Sequence, residues 1–310
     1  MDAPRYTGVR TFARLPFTRE LEGVHAAVVG APFDTATSYR PGARFGPEGI
    51  RAGSTLLRPY HPAMAVDVLG SQTVVDHGDL SLTPGNAERT VEQIAVGLAP
   101  VLEAGATPLV LGGDHLVALG ELRAHAAAAG GPLALVLLDA HADTWDAYYG
   151  ERFFHGTVFR RALEEGLVLP ERSLLAGMRG PLYAPEDLSA ARDMGFEIIS
   201  GDELRAMPLG EYGDRVRTRV GDAPAFLSID IDVIDPAFAP ATGTPEVAGL
   251  LPHEAVVLLR SLAGMRFVGF DVVEVAPVYD GPAQTTAMLA ANIAYELLAL
   301  NALAREYSGP

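Results

Sequence analysis

Residues 137–146 read LLDAHADTWD, an apolar strand that runs into Asp139, His141, Asp143 and Asp146 within ten positions. In an extended chain, alternate residues share a face, so Asp139, His141 and Asp143 point the same way. Burying such charge without a partner costs several kcal/mol per group, so something must neutralise it. A second apolar run, FLSIDIDVIDP from Phe226, repeats the spacing with Asp230 and Asp232, and a third, PLVLGGDH from Pro108, ends in His115. Four carboxylates and two imidazoles can thus converge from three strand ends. They are hard and borderline donors that suit Mn²⁺, Fe²⁺, Ni²⁺ or Zn²⁺. Two divalent ions would balance Asp139, Asp143, Asp230 and Asp232 if two of these carboxylates bridged them. Ions roughly 3.5 to 4 Å apart can deprotonate a shared water at neutral pH and hold it as a nucleophile. A lone D-x-H-x-D could equally be a capped turn or an ion pair, but three apolar strands ending in charge are harder to explain without metal.

The elements that must position these groups alternate along the chain. Nearly continuous apolar runs at AAVVGAP near 26, PLVLGG near 108, LALVLLDAH near 133, AFLSIDIDV near 224 and RFVGFDVVEV near 266 read as strands covered on both faces. Helical spacing appears at 88–105, 115–129 and 253–264 and in a long closing segment, QTTAMLAANIAYELLALNALAREY. That order predicts an α/β fold with a central, mostly parallel sheet flanked by helices. No linker, composition shift or internal repeat divides the chain, so residues 1–310 read as a single domain. The loop-rich stretches 31–62, 144–157 and 235–252 belong at the strands' carboxyl ends, where open parallel sheets bind ligands.

Composition narrows the partners. With 23 basic against 39 acidic residues and a formal charge of -16, the chain lacks the clustered cations that nucleic acid requires; small cationic substrates are mildly favoured. The absence of cysteine excludes disulfides, iron–sulfur clusters, thiolate zinc sites and cysteine nucleophiles, leaving His and carboxylate as the metal donors. The first twenty residues lack the apolar core of a signal peptide, and no later run approaches ~18 uninterrupted apolar residues. No membrane partner and a cytoplasmic setting are therefore expected.

These residues resemble the ureohydrolase family of arginase, agmatinase, guanidinobutyrase, proclavaminate amidinohydrolase and relatives. The matching stretches are GAPFDTATSYRPGARFGPEGIR (30–51), GGDH (112–115), DAHAD (139–143), HGTVF (155–159), SIDIDVIDPAFAPATGTPE (228–246) and GFDVVEVAP (269–277). They follow the family's order and cover nearly the whole chain. The resemblance implies a three-layer αβα sandwich with a binuclear manganese site. One Mn²⁺ would be held by His115, Asp139, Asp143 and Asp230, the other by His141, Asp139, Asp230 and Asp232. It also implies a proton shuttle at His155 and a guanidinium-binding carboxylate at Glu274, with Asp143 orienting the attacking hydroxide. Both His155 and Glu274 suit those roles: an imidazole can titrate near neutrality, and a carboxylate can pair with a planar guanidinium.

One departure is Leu116, which follows His115 where the family commonly has serine; Asp114 resembles a capping residue rather than a ligand. The loop TWDAYYGERFF (144–154) lacks the polar set expected for free arginine and resembles aromatic-bearing relatives. Trp145 and Tyr148, with Tyr149, could pack on a methylene chain or attract a terminal cation. Arg40 and Arg44 could instead meet a carboxylate tail, or merely brace their loop. Agmatine is the leading expected substrate, followed by 4-guanidinobutyrate and a biosynthetic guanidine of the proclavaminate kind. The alternative from another class is a single-zinc deacetylase of arginase-like fold. A homo-oligomer, trimer or hexamer, follows from the resemblance alone. The remaining histidines receive no function; His125 is expected on an exposed helix face and His253 near a helix start.

Overall fold

The computed structural model describes residues 4–208 and 210–308. Ten strands occur among them: β1 (Ala26–Gly30), β2 (Tyr60–His61), β3 (Val66–Asp67), β4 (Val74–Asp79), β5 (Thr107–Leu111), β6 (Ala134–Leu138), β7 (Leu174–Met178), β8 (Glu197–Ser200), β9 (Ala225–Asp230) and β10 (Phe267–Val273). Strands β2 and β3 form a small antiparallel pair. The other eight make one sheet in the order β4-β1-β5-β10-β9-β6-β7-β8, and every described pairing in it is parallel.

The apolar runs are continuous because both faces of the sheet are covered. Ala26, Val28, Leu109, Leu111, Val136 and Leu138 face one core. Their neighbours Ala27, Val29, Val110, Leu135 and Leu137 face another. Helices Gly46–Gly53, Glu211–Val220, Pro252–Ser261 and Thr285–Ser308 cover the first face; Ala87–Glu103, Val117–Ala129 and Val158–Glu164 cover the second. The three-layer αβα sandwich is therefore as expected. Helix Thr285–Ser308 is long and apolar enough to cross a membrane by composition, yet 78% of its most apolar window is buried, so it is a core helix.

Several elements differ from the sequence reading. Strands β4, β7 and β8 went unread, as did helix Gly46–Gly53 inside the stretch taken for loop. That helix carries Gly46, Pro47, Gly49 and Gly53, which weaken its intrinsic signal. Its glycines are there for close packing: a Cβ on Gly53 would lie 2.7 Å from the Ala287 carbonyl oxygen. His125 is not on an exposed face. It is 1% accessible, tilted against Phe226, and fills the space left by Gly269. Burial alone pushes its imidazole down to about 3, so it stays neutral. His253 does lie at a helix start.

Candidate active site

All six expected metal ligands come from the carboxyl ends of three strands. Asp139, His141 and Asp143 follow β6, Asp230 ends β9, Asp232 occupies the short 3₁₀ turn Ile231–Val233, and His115 precedes helix Val117–Ala129. The residues singled out by their spacing of two do come together, but not through an extended chain. Strand β6 stops at Leu138, and the chain beyond it is irregular, with Asp143 at φ 50°, in the left-handed region uncommon for a residue with a Cβ. The turn is pinned by its own carboxylates: Asp139 Oδ1 accepts the His141 N–H at 2.6 Å, Asp230 Oδ1 the Asp232 N–H at 2.8 Å, and Asp232 Oδ1 the Ala140 N–H at 3.0 Å.

The free atoms of these side chains gather at two adjoining points. His115 Nδ1 lies 3.0 Å from Asp143 Oδ2, 3.1 Å from Asp139 Oδ2 and 3.4 Å from Asp230 Oδ2. His141 Nδ1 lies 3.1 Å from Asp232 Oδ2 and 3.6 Å from Asp139 Oδ1. His115, Asp139 and Asp143 could hold one ion, and Asp139, His141 and Asp232 a second, with Asp139 common to both. His115 Nδ1, Asp139 Oδ2 and Asp232 Oδ2 are buried without a hydrogen bond. Lone pairs so buried and so aimed fit cations.

The electrostatics agree. In the chain alone, burial pushes Asp143, Asp230 and Asp232 above the usual carboxylate range, and neighbouring carboxylates add to it. Burial also acts to lower His115 and His141, but the surrounding carboxylates outweigh it and hold both well above 6.5. Ligands must shed these protons before a cation can enter. Uptake of a divalent cation is thus expected to release protons and to weaken as the pH falls from neutral, because acidification stabilises the protonated cluster. Calorimetry in buffers of different ionisation enthalpy would read this out; a binding enthalpy independent of buffer would contradict it.

A second constellation adjoins the first. Glu274 follows β10 at φ 60° and is fixed by its N–H, which donates to the Gly113 carbonyl at 2.8 Å. Gly113 is required there, since a Cβ would come within 1.7 Å of the Phe33 carbonyl oxygen. Glu274 Oε1 accepts the His115 N–H and faces His155 Nδ1, each at 2.9 Å, whereas its Oε2 is buried with no partner. On the other side of the His155 ring, the Ser38 N–H points at Nε2 at 3.1 Å. Nε2 is therefore an acceptor and the proton sits on Nδ1, toward Glu274. Burial acts to lower His155, but the charges of Glu274, Asp143 and Asp114 hold it above 6.5. Asp114 behaves as the expected cap: its carboxylate accepts the Ala36 and Leu116 N–H groups at 2.9 and 3.1 Å.

The cluster opens into a cavity of about 700 Å³. Trp145 and Tyr148 line it, stacked 5.5 Å apart, while Tyr149 is 93% exposed and merely edges Tyr148. Arg40 reaches the cavity over the rings of Tyr39 and Tyr279, 5.4 Å from each centroid. Arg44 does not: it is paired with Asp34, which also accepts the Gly42 N–H, so it braces its loop. Glu274 is 1% accessible and sits behind His155 rather than on the cavity wall.

Among the wall residues that sequence reasoning missed are Ser38, Arg179, Tyr183 and Glu246. Tyr183 tilts against Trp145 at 5.6 Å. Arg179 donates to the carbonyls of Asp232, Glu246 and Val247, fastening the 232–247 segment that carries the expected ligand Asp232. Both Arg179 and Tyr183 follow the unread strand β7, and recognising it would have placed the GMRGPLYAPED segment beside the site.

Comparison with known proteins agrees with this geometry. The family model described as "Arginase family" matches residues 24–300. Proclavaminate amidinohydrolase of Streptomyces clavuligerus is 43% identical over 96% of this chain and 94% of its own length. The mitochondrial agmatinase of Gallus gallus is 42% identical (95% and 86%), and a guanidinobutyrase of Pseudomonas aeruginosa 41% (96% and 93%). The solved structure of the Streptomyces enzyme superposes with a TM-score of 0.91, covering 98% of this chain and all of that one.

Proposed function

The chain belongs to the arginase family of hydrolases that act on C–N bonds in linear amidines, and from that premise we propose that it converts agmatine to putrescine and urea with two Mn²⁺ ions. The observation that carries the metal reading is the pair of donor groups sharing Asp139. His115, Asp139, Asp143 and Asp230 would hold one ion, and His141, Asp139, Asp230 and Asp232 the other. When bound, such a pair supplies a water that is deprotonated near neutral pH.

The remaining work falls to the chain's own side chains. Once the His155 ring turns aside from the cavity wall, a guanidinium N–H satisfies the unpartnered Oε2 of Glu274 behind it, which fixes the carbon to be attacked. Asp143 orients the attacking oxygen. As the tetrahedral intermediate collapses, His155 in its protonated form, whose positive charge Glu274 steadies, passes a proton to the departing amine and is left neutral.

A cationic tail fits the wall of Trp145, Tyr148 and Tyr183, with Glu246 carrying a carboxylate to the same cavity. The specific observation favouring a second reading, 4-guanidinobutyrate, is Arg40 on the cavity wall, and a biosynthetic guanidine of the proclavaminate kind shares that carboxylate logic. The test is urea release from manganese-loaded protein offered agmatine, 4-guanidinobutyrate, 3-guanidinopropionate and arginine, with Arg40→Ala alongside. Agmatine turnover is expected to lead the panel and to change less than about threefold in Arg40→Ala. If Arg40 holds a carboxylate, its loss costs about 10- to 100-fold on the acidic substrates, as for a hydrogen bond to a charged group. Leading activity on an acidic substrate would displace agmatine. A single-zinc deacetylase is disfavoured by the second donor group, and metal counting at one ion per chain would revive it. The proposal includes a cytoplasmic homotrimer or homohexamer; sedimentation showing only a 32.7 kDa species would remove the oligomer.

A further inference from the structure

The side of His115 that faces away from the cavity is as polar as the side that faces it, and the chemistry above makes no use of it. His115 Nε2 lies 2.9 Å from Ser228 Oγ. The Ser228 hydroxyl in turn donates to Asp271 Oδ1 at 2.7 Å, and the Ile229 N–H donates to that same oxygen at 3.1 Å. Ser228 on β9 and Asp271 on β10 are register partners in the middle of the sheet, and all three side chains have 0% accessibility. Asp271 Oδ2 and both oxygens of Glu121, on helix Val117–Ala129, are likewise buried without a partner. Burial first, and then the Asp271 charge, push Glu121 well above its usual range. A carboxylate this deep in the sheet has no packing reason to be there, because an apolar residue of similar shape would avoid its desolvation.

The direction of the chain of bonds follows from counting protons. Ser228 has one hydroxyl proton and gives it to Asp271, so toward His115 it can only accept. In the neutral ring that a metal requires, His115 must then carry its proton on Nε2, which leaves the lone pair on Nδ1, the atom facing the three carboxylates. We propose that Asp271, acting through Ser228, is a positioning residue that fixes the tautomer and ring plane of His115 and thereby sets how tightly the ion on His115 is held. This rests on the metal reading above and adds to it a determinant outside the ligand set.

The experiment is a manganese titration of the full chain, followed by calorimetry, with far-UV circular dichroism as the folding control. Wild type is compared with Ser228→Ala, Ser228→Thr, Ser228→Val, Asp271→Asn and the Ser228→Ala/Asp271→Asn double variant. Ser228→Ala and Ser228→Val are expected to raise the Kd of one of the two ions about 10- to 100-fold, the usual effect of removing a partner behind a metal ligand. Ser228→Thr, with the same added bulk as Val but a hydroxyl, should stay near wild type. Asp271→Asn should weaken the same ion when Ser228 is present and add nothing when it is absent. Should the β-branched variants fail to fold, the alanine and asparagine cycle alone decides. Two ions held equally tightly in Ser228→Ala and wild type, or an Asp271→Asn effect undiminished by Ser228→Ala, would overturn the proposal. A wild-type chain that takes up no manganese would instead overturn the metal reading beneath it.

Discussion

Asp139→Asn is expected to lose urea release by about 10³-fold or more and to hold fewer than two manganese ions per chain. Removing a partner behind a ligand costs about 10- to 100-fold, and a ligand shared by both ions must cost more. Asparagine keeps the shape and one oxygen, so the 2.6 Å bond that pins the His141 N–H survives and the turn keeps its path. What disappears is the charge, together with Oδ2, which is buried 3.1 Å from His115 Nδ1 without a hydrogen bond. A weakened shared ligand should affect both ions together. Metal analysis alongside kinetics checks this, and an Asp139→Asn protein with two ions and near-normal turnover would refute the shared-ligand assignment.

Glu274→Gln should lower kcat/KM by roughly 10²- to 10³-fold, the range for truncating one partner of a buried, hydrogen-bonded charge pair. Its Oε1 holds His115 and His155 at once, so the amide oxygen will settle there and the amide NH₂ will replace the free Oε2. A donor then faces the donors of the guanidinium. The substitution also removes the leading influence that opposes burial at His155 and keeps its imidazole above 6.5. With that charge gone, the His155 pKa falls, so the limb of the kcat/KM profile that reports His155 should move to lower pH. Unchanged profiles with unchanged rates would separate Glu274 from both the substrate and the shuttle.

The site was more legible in the sequence than the fold around it, for a physical reason. Charged residues at the ends of apolar strands stand out because their burial is costly, so Asp139, His141, Asp143, Asp230, Asp232 and His115 announce themselves without reference to geometry. The geometry itself was not legible. Alternation suggested an extended chain through Asp143, whereas the structure uses a left-handed residue after β6 ends. Short strands such as β8 and the glycine-rich helix Gly46–Gly53 carry weak local signals, and their form is set by packing across the molecule. Tyr183 and Arg179 were missed along with β7, and Arg44 was paired with an aspartate ten residues upstream that no motif singled out.

Strand β10 is the last of the sheet to be made, yet it lies between β5 and β9. On the ribosome, every candidate ligand from His115 to Asp232 is therefore synthesised before the strand that bridges β5 and β9. Without β10 between them, β5 and β9 are not neighbours, and nothing in the sheet sets His115 against Asp230. Only when residues 267–273 slot into the gap do the two halves of the site meet. The donor group on His115 therefore depends on a strand made late, whereas Asp139, His141 and Asp232 follow β6 and β9, which pair directly without it.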